Sequence, residues 1–367
     1  MRSCCTVTVK SLAWGGPSCH RPSQGQQTAR PELIASTIPL LDVAPYLAGE
    51  PGARERLGAE LRWAFEKVGF YYLLGHGIPQ SLIDTTFAQA ARFHALPMER
   101  KLAVEVNEDN VGYLPMKVGQ FPGRQPSWNA AFFLRRDREP DDPLVLAKRR
   151  FHGLNQWPAE LRGFRETALA YMQAMETLCR RLVPIYATAL DLPPDAFDRA
   201  YAEPHQILRL THYPPLSSGE AASVSLTPHT DSGFMTLLAP NPVPGLSILL
   251  PDGCWVDAPA VAGAFVVNGG DILHRWTNER FLSTPHRVIN LTGGDRYAIP
   301  FFCDPNHDTV IECLQSCRSA AHPSKYPPIK FGDYAIWFAR KSYEHMAQQP
   351  ALADAEIAPG ARATKRW

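Results

Sequence analysis

Apolar positions along the chain change period near its middle. Between Arg54 and Val68, Leu57, Leu61, Phe65 and Val68 recur at the spacing of one helical face. The unbroken run Phe70-Tyr71-Tyr72-Leu73-Leu74 then predicts a buried strand, ended by Gly75-His76-Gly77. Leu82 to Ala95 predicts a second amphipathic helix stopped by Pro97. Arg162 to Leu190 predicts a long one through Phe164, Tyr171, Met175, Leu178, Leu182 and Ile185, kinked or broken near Pro184. Val106 to Pro158 is rich in Pro, Gly and Asn and predicts loops with short strands.

From Gln206 the texture becomes short apolar runs separated by turn residues. Strands are predicted at Ile207–Thr211, Phe234–Ala239, Leu246–Leu250, Ala264–Asn268, Val288–Thr292 and Tyr297–Phe302. Asn268-Gly269-Gly270-Asp271 between two of them carries a hairpin signature. A last helix is expected over Tyr334 to Met346. The pattern implies a mainly β protein with surrounding helices, its strands closing into a sandwich or barrel such as a jelly roll. Residues 38–205 form a helical and mixed first region and 206–350 the β core, interwoven as one unit. Residues 1–37, with no acidic residue before Glu32 and no apolar periodicity over their Gly-, Pro-, Ser- and Gln-rich part, predict a disordered tail, and residues 351–367 a C-terminal tail.

Composition removes several functional classes. The 367 residues are 45% hydrophobic and 20% charged, with a formal net charge of +1, which offers no general attraction to nucleic acid or to an anionic membrane. No apolar stretch is long enough to span a bilayer, and no h-region marks a secretory signal. Eight cysteines are too dilute for a disulfide scaffold, so reduced thiols and a cytoplasmic location are expected. Cys313-x-x-x-Cys317 lacks a second ligand pair for zinc.

The string most loaded with chemistry is Thr227-Pro228-His229-Thr230-Asp231-Ser232-Gly233. His229 and Asp231 point to one side of an extended segment, so a nitrogen and a carboxylate oxygen can converge on one ion. A third ligand would complete the facial two-histidine, one-carboxylate set that leaves positions open on non-haem iron. His274, His286, His307 and His322 are the downstream candidates. Placement favours His286, which precedes the apolar run Arg287-Val288-Ile289-Asn290-Leu291, over His274. Arg296 opens Arg296-Tyr297-Ala298-Ile299-Pro300-Phe301-Phe302; on such a strand a guanidinium either faces solvent from an edge or is buried against a matching carboxylate.

Taken together, these residues resemble the iron(II)/2-oxoglutarate-dependent dioxygenases of the isopenicillin N synthase-like family. Gly69-Phe70-Tyr71, Gly75-His76-Gly77-Ile78, Phe93 to Lys101 around Leu96-Pro97, and Asn155-Gln156-Trp157-Pro158 are similar to landmarks of that family's first half. The His-x-Asp, distal His and Arg order matches its second half, and the likeness spans nearly everything after Ile38. The resemblance implies a distorted jelly-roll (double-stranded β-helix) core, with Fe(II), 2-oxoglutarate and O2 required for turnover. It places the metal on His229, Asp231 and His286, and the cosubstrate carboxylate on Arg296 with Tyr213. The implied reaction couples oxidative decarboxylation of 2-oxoglutarate, to succinate and CO2, with hydroxylation or desaturation of a small-molecule substrate. His76 and Gly77 match a structural motif of the family.

Two departures stand out. Ala298 occupies the position where the family usually has serine, so a hydroxyl contact worth about 1.5–3 kcal/mol to a charged group is missing. Thr211-His212 replaces a common Asn-aromatic pair, and His212 is expected to be structural. Ala298 also leaves room for a rival, an isopenicillin N synthase-like oxidase that uses no keto acid; a degenerate binding protein is a further alternative. Phe234, Phe301 and Phe302 are candidates to wall the site, and Trp128 to Phe133 to border the substrate entrance.

Overall fold

A computed structural model describes residues 37–116, 128–215 and 225–357. Most of the expected N-terminal tail therefore lies outside the described residues, as does the chain beyond 357. The elements in order are β1 (Leu40–Asp42), α1 (Ala53–Lys67), β2 (Phe70–Leu74), α2 (Gln80–His94), β3 (Gly112–Leu114), β4 (Ala130–Arg135) and α3 (Phe164–Ala189). The second half runs β5 (His205–Tyr213), β6 (Leu226–His229), β7 (Met235–Leu238), β8 (Leu246–Leu249), β9 (Trp255–Asp257) and β10 (Phe265–Gly269). It continues with α4 (Asp271–Trp276), β11 (His286–Val288), β12 (Arg296–Ala298), β13 (Pro300–Asp304) and α5 (Phe331–Ser342).

The strands form a jelly roll of two main sheets. The larger follows the order β1-β2-β10-β7-β13-β5-β4-β3, with β12 also paired to β5; the smaller is β6-β11-β8-β9. Strand alternation decides what each face does. On β2, Phe70 and Tyr72 point between the sheets, where they meet Leu246, Ile248 and Val288 of the smaller sheet. Tyr71 and Leu73 point the other way, into a core shared with α1, α2 and α3. The larger sheet thus has a helix-covered back and an inner face free to build a pocket. Because β1 to β4 come from the first half of the chain and join β5, β7, β10 and β13, the two halves are one interwoven unit.

Several details refine or correct the sequence expectations. Of the kink or break expected at Pro184, the break does not occur: α3 runs from Phe164 to Ala189 with Pro184 inside it. Leu182, Val183, Ile185, Tyr186 and Ala187 are all buried around the proline. That burial outweighs the roughly 3 kcal/mol that an interior proline costs a helix. Asn268-Gly269-Gly270-Asp271 is not a hairpin but the junction from β10 into α4. The first helical N–H groups are satisfied there by the neighbouring loop, Asp271 N donating to Asp231 O (2.7 Å) and Ile272 N to Gly233 O (3.1 Å).

The strand expected at Val288–Thr292 instead begins at His286 and ends at Val288. Asn290 ends it, its buried amide donating to Tyr213 O, Pro214 O and Gly294 O in a turn. At the C-terminal end, the start of the tail packs back on the fold: Asp354–Ile357 form a helical turn, and buried Ile357 accepts a hydrogen bond from Arg275 Nη1 at 2.6 Å. Trp337 Nε1 also donates to Asp354 Oδ1 at 2.9 Å. Among the described residues no helix is long and apolar enough to cross a membrane.

Candidate metal and cosubstrate site

β6 and β11 are antiparallel neighbours in the smaller sheet, and their register sets His286 directly opposite His229. The two imidazole centroids are 4.3 Å apart. Asp231 follows in the turn that carries the chain from β6 across to β7 in the larger sheet. Its Oδ1 lies 3.9 Å from His229 Nε2 and 3.7 Å from His286 Nε2. All three donor atoms fall within 4.8 Å of one another, and no other such group of three occurs among the described residues.

The surroundings hold each donor in the state a metal needs. His229 Nδ1 donates to Thr227 O at 2.9 Å, and His286 Nδ1 to Thr284 O at 3.2 Å. A carbonyl can only accept, so both Nδ1 atoms donate and both Nε2 atoms are turned toward the carboxylate. Burial, with a smaller contribution from the adjacent His286 ring, pushes His229 down to about 3, so its ring is neutral. Asp231 Oδ2 accepts from Thr236 Oγ1 (2.6 Å) and Asn268 Nδ2 (2.7 Å), leaving Oδ1 turned toward the two rings. Burial alone would raise this carboxyl. The two imidazoles and these two donors outweigh it and hold Asp231 below the usual range.

Thr236 and Asn268 are cross-strand partners on β7 and β10, both on the inner face. Gly270 lets the adjoining backbone close up behind them: a Cβ there would sit 2.5 Å from Gly233 O and 2.7 Å from Asp231 O. Sequence reasoning missed Thr236 and Asn268, since nothing in a short strand or an apparent hairpin turn marks a residue as a carboxylate support.

Next to the triad, a cavity of about 60 Å³ reaches across the inner face to Arg296. Arg296 is 3% exposed, which settles its orientation inward rather than toward solvent from an edge. Its Nε donates to Val243 O at 3.2 Å and its guanidinium lies 5.2 Å from the Tyr213 ring centre, yet its buried Nη1 has no partner among the described residues. An orphaned donor on a buried cation is costly unless an acid group completes it. Tyr213 and Arg296 are cross-strand partners on β5 and β12, and Ala298 faces Thr211 one step along. The single strand expected over Tyr297–Phe302 divides before Pro300, which has no N–H to donate. Its even-numbered residues Arg296, Ala298, Pro300 and Phe302 all line the cavity.

The cavity also holds a second cation that sequence reasoning overlooked. Arg209 lies on β5 two alternations from Tyr213, with Nη2 donating to Asn129 Oδ1 at 2.8 Å and its guanidinium 5.3 Å from the Phe133 ring centre. The signal was available: Leu208-Arg209-Leu210 is as anomalous on an apolar strand as Arg296. Asn129 and Phe133 of the Trp128–Phe133 segment thus both reach Arg209, Asn129 Nδ2 also donating to Ser225 O, whereas Phe132 belongs to the helix-side core.

Other candidates fall elsewhere. His274 Nδ1 donates to Phe281 O (2.6 Å) on α4, His307 pairs with His205, and His322 is exposed. His212 bonds Asp295 and stacks on Tyr297 at 5.0 Å, and His76 bonds Gly263 O, both structural roles. Of the three phenylalanines, only Phe302 lines the cavity, while Phe234 and Phe301 are buried in the helix-side core.

Residues 38–160 match the family described as non-haem dioxygenase in morphine synthesis N-terminal, and residues 204–305 match the 2OG-Fe(II) oxygenase superfamily. The 2-oxoglutarate-Fe(II) type oxidoreductase hxnY of Emericella nidulans is 35% identical over 320 residues, covering 85% of this chain and 92% of that protein. This chain belongs to the 2-oxoglutarate-iron(II) oxygenases. A putative 2OG-Fe(II) oxygenase family protein from Caulobacter crescentus superposes with a TM-score of 0.74 at 30% identity, covering 83% of this chain and 98% of that one. A Neurospora crassa protein, solved at full length in complex with alpha-KG and thymine, gives a TM-score of 0.72 at 29% identity over 81% of this chain and 94% of its own. The oxygenase is thus an enzyme that uses Fe(II), 2-oxoglutarate and O2, and the keto-acid-independent oxidase finds no support among these relatives.

Proposed function

We propose that His229, Asp231 and His286 hold the iron(II) of this oxygenase, and that Arg296 with Tyr213 receives the far carboxylate of 2-oxoglutarate. The observation carrying this reading is the pairing of two features in one cavity. Two imidazole Nε2 atoms and one carboxylate oxygen converge at one end, and a buried guanidinium with an orphaned N–H waits at the other. Three protein donors suit octahedral iron that keeps three positions for exchangeable ligands. When bound, the metal supplies the oxygen activation that couples decarboxylation of the keto acid to hydroxylation or desaturation of a small-molecule substrate.

The chain's own residues do the orienting. Arg296 and Tyr213 fix one end of the keto acid so that its other end meets the triad in a single direction. Thr236 and Asn268 aim Asp231, and the carbonyls of Thr227 and Thr284 fix the ring tautomers. Phe70, Leu246, Val288 and Phe302 wall the cavity with apolar surface that excludes water. Cys179, Cys303, Cys313 and Cys317 are thiols, in keeping with a reducing, cytoplasmic setting.

The test is metal content with oxygen consumption. Wild type should bind one iron(II) per chain and consume oxygen in proportion to succinate formed. Asp231→Ala should lose the metal, and Arg296→Gln should keep it while requiring far more 2-oxoglutarate. Full iron binding by Asp231→Ala, or an unchanged 2-oxoglutarate requirement in Arg296→Gln, would overturn the assignment.

A further inference from the structure

A second, larger cavity of about 310 Å³ opens at the far end of β5, around its first residue, His205. His205 and Arg209 are four residues apart on one strand face, so the two cavities are separated by about 13 Å along the strand. Apolar Phe133 and Ile207 pack together between them.

Five arginines border this space: Arg135, Arg136, Arg138, Arg149 and Arg199. Three have carboxylate partners, Arg136 with Glu176 (3.1 Å), Arg138 with Asp142 (2.7 Å) and with Glu203, and Arg149 with Asp308 (2.7 Å). Arg135 and Arg199 have no carboxylate within 4.0 Å among the described residues, although Arg135 is only 3% exposed. Asp109 and Asp304 act on the Arg135 charge only from beyond contact distance, and its direct polar contacts are uncharged. Arg135 Nε donates to Asp109 O (2.8 Å) and Nη1 to His205 Nε2 (2.7 Å), and His205 Nδ1 donates in turn to His307 Nε2 (2.9 Å). His205 therefore meets the guanidinium as a neutral ring. Burial, together with the surrounding cations, pushes both His205 and His307 well below the ordinary histidine range.

We propose that this cavity binds a phosphoryl group, carried by a small organic molecule or as the free ion. A phosphate monoester carries close to two negative charges at neutral pH, matching the two arginines that lack carboxylates. Guanidinium forks suit its oxygens. The volume exceeds what a lone phosphate fills, and Phe151, which lies 4.3 Å beneath the Arg135 guanidinium, and Leu144 offer apolar wall to an organic remainder.

The test titrates the iron(II)- and 2-oxoglutarate-loaded protein anaerobically by calorimetry, so that the catalytic cavity is already filled. The probes are glucose 6-phosphate, inorganic phosphate and glucose. Saturable one-to-one binding of glucose 6-phosphate without binding of glucose supports the site, and tighter binding of inorganic phosphate would identify the free ion as its occupant. Arg199→Glu, an exposed substitution, should weaken phosphoryl binding roughly tenfold or more and leave 2-oxoglutarate affinity unchanged. No saturable binding of either phosphoryl probe, equal binding of glucose, or unchanged affinity in Arg199→Glu would overturn the proposal.

Discussion

Replacing Thr236 by valine removes one oxygen donor and almost no volume, which isolates what the hydroxyl does for Asp231. The Thr236 hydroxyl donates to Asp231 Oδ2 at 2.6 Å, and Asn268 supplies the only other side-chain hydrogen bond to that oxygen among the described residues, at 2.7 Å. A hydrogen bond to a charged group contributes about 1.5–3 kcal/mol, or about ten- to a hundredfold in an equilibrium constant. Asn268 still restrains the carboxylate in the variant, so a loss near the lower end, about tenfold in metal affinity, is expected. Loss of a supporting partner behind a metal ligand has effects of the same size generally. The assay is binding of manganese(II), followed by electron paramagnetic resonance, in wild type, Thr236→Val, Asn268→Leu and the double variant. The double variant should lose more than either single. At saturating metal, the affinity for 2-oxoglutarate should not change, because Arg296 and Tyr213 lie on other strands. Unchanged metal affinity in both single variants would refute the idea that this pair positions Asp231.

Ala298→Ser should tighten 2-oxoglutarate binding by about tenfold or more, since residue 298 lines the cavity on the same strand face as Arg296; an unchanged affinity by calorimetry would mean the hydroxyl does not reach the cosubstrate. Gly270→Ala should abolish metal binding while the chain still folds, because its Cβ would collide with Asp231 O at 2.7 Å and Gly233 O at 2.5 Å; circular dichroism with metal titration checks both halves. Burial pushes Asp304 up to about 7, against the Phe234 N–H that donates to it. Folded protein therefore holds a proton there that the unfolded chain releases near pH 4, and this group's contribution to stability falls as pH rises from about 4 to about 7, by on the order of 1.4 kcal/mol per pH unit. Asp304→Asn should flatten that slope in denaturant titrations.

Much of this site was legible in the sequence, because its signals are local or ordered. His-x-Asp on an extended segment, a histidine opening an apolar run and an arginine amid apolar residues each follow from strand alternation, and their order carried the family resemblance. What stayed hidden depends on who sits across the sheet. Thr236 and Asn268 matter only because β7 and β10 pair in the register that puts both beneath Asp231. Asn-Gly-Gly-Asp has the chemistry of a hairpin turn, but the backbone of the Asp231 loop captures its N–H groups and starts a helix instead. The absence of a break at Pro184 likewise reflects tertiary burial overriding a local preference. Arg209 is as exceptional on its apolar strand as Arg296, but no motif surrounds it to mark it as a site residue.

The central claim is that one cavity brings a keto acid to iron held by His229, Asp231 and His286. Its most direct test is the visible spectrum of the protein mixed anaerobically with iron(II) and 2-oxoglutarate. Wild type should develop a metal-to-ligand charge-transfer band that saturates at one equivalent of each and that 2-oxoglutarate elicits only at far higher concentration in Arg296→Gln. Bound iron with no such band in wild type, or an identical 2-oxoglutarate titration in Arg296→Gln, would contradict it.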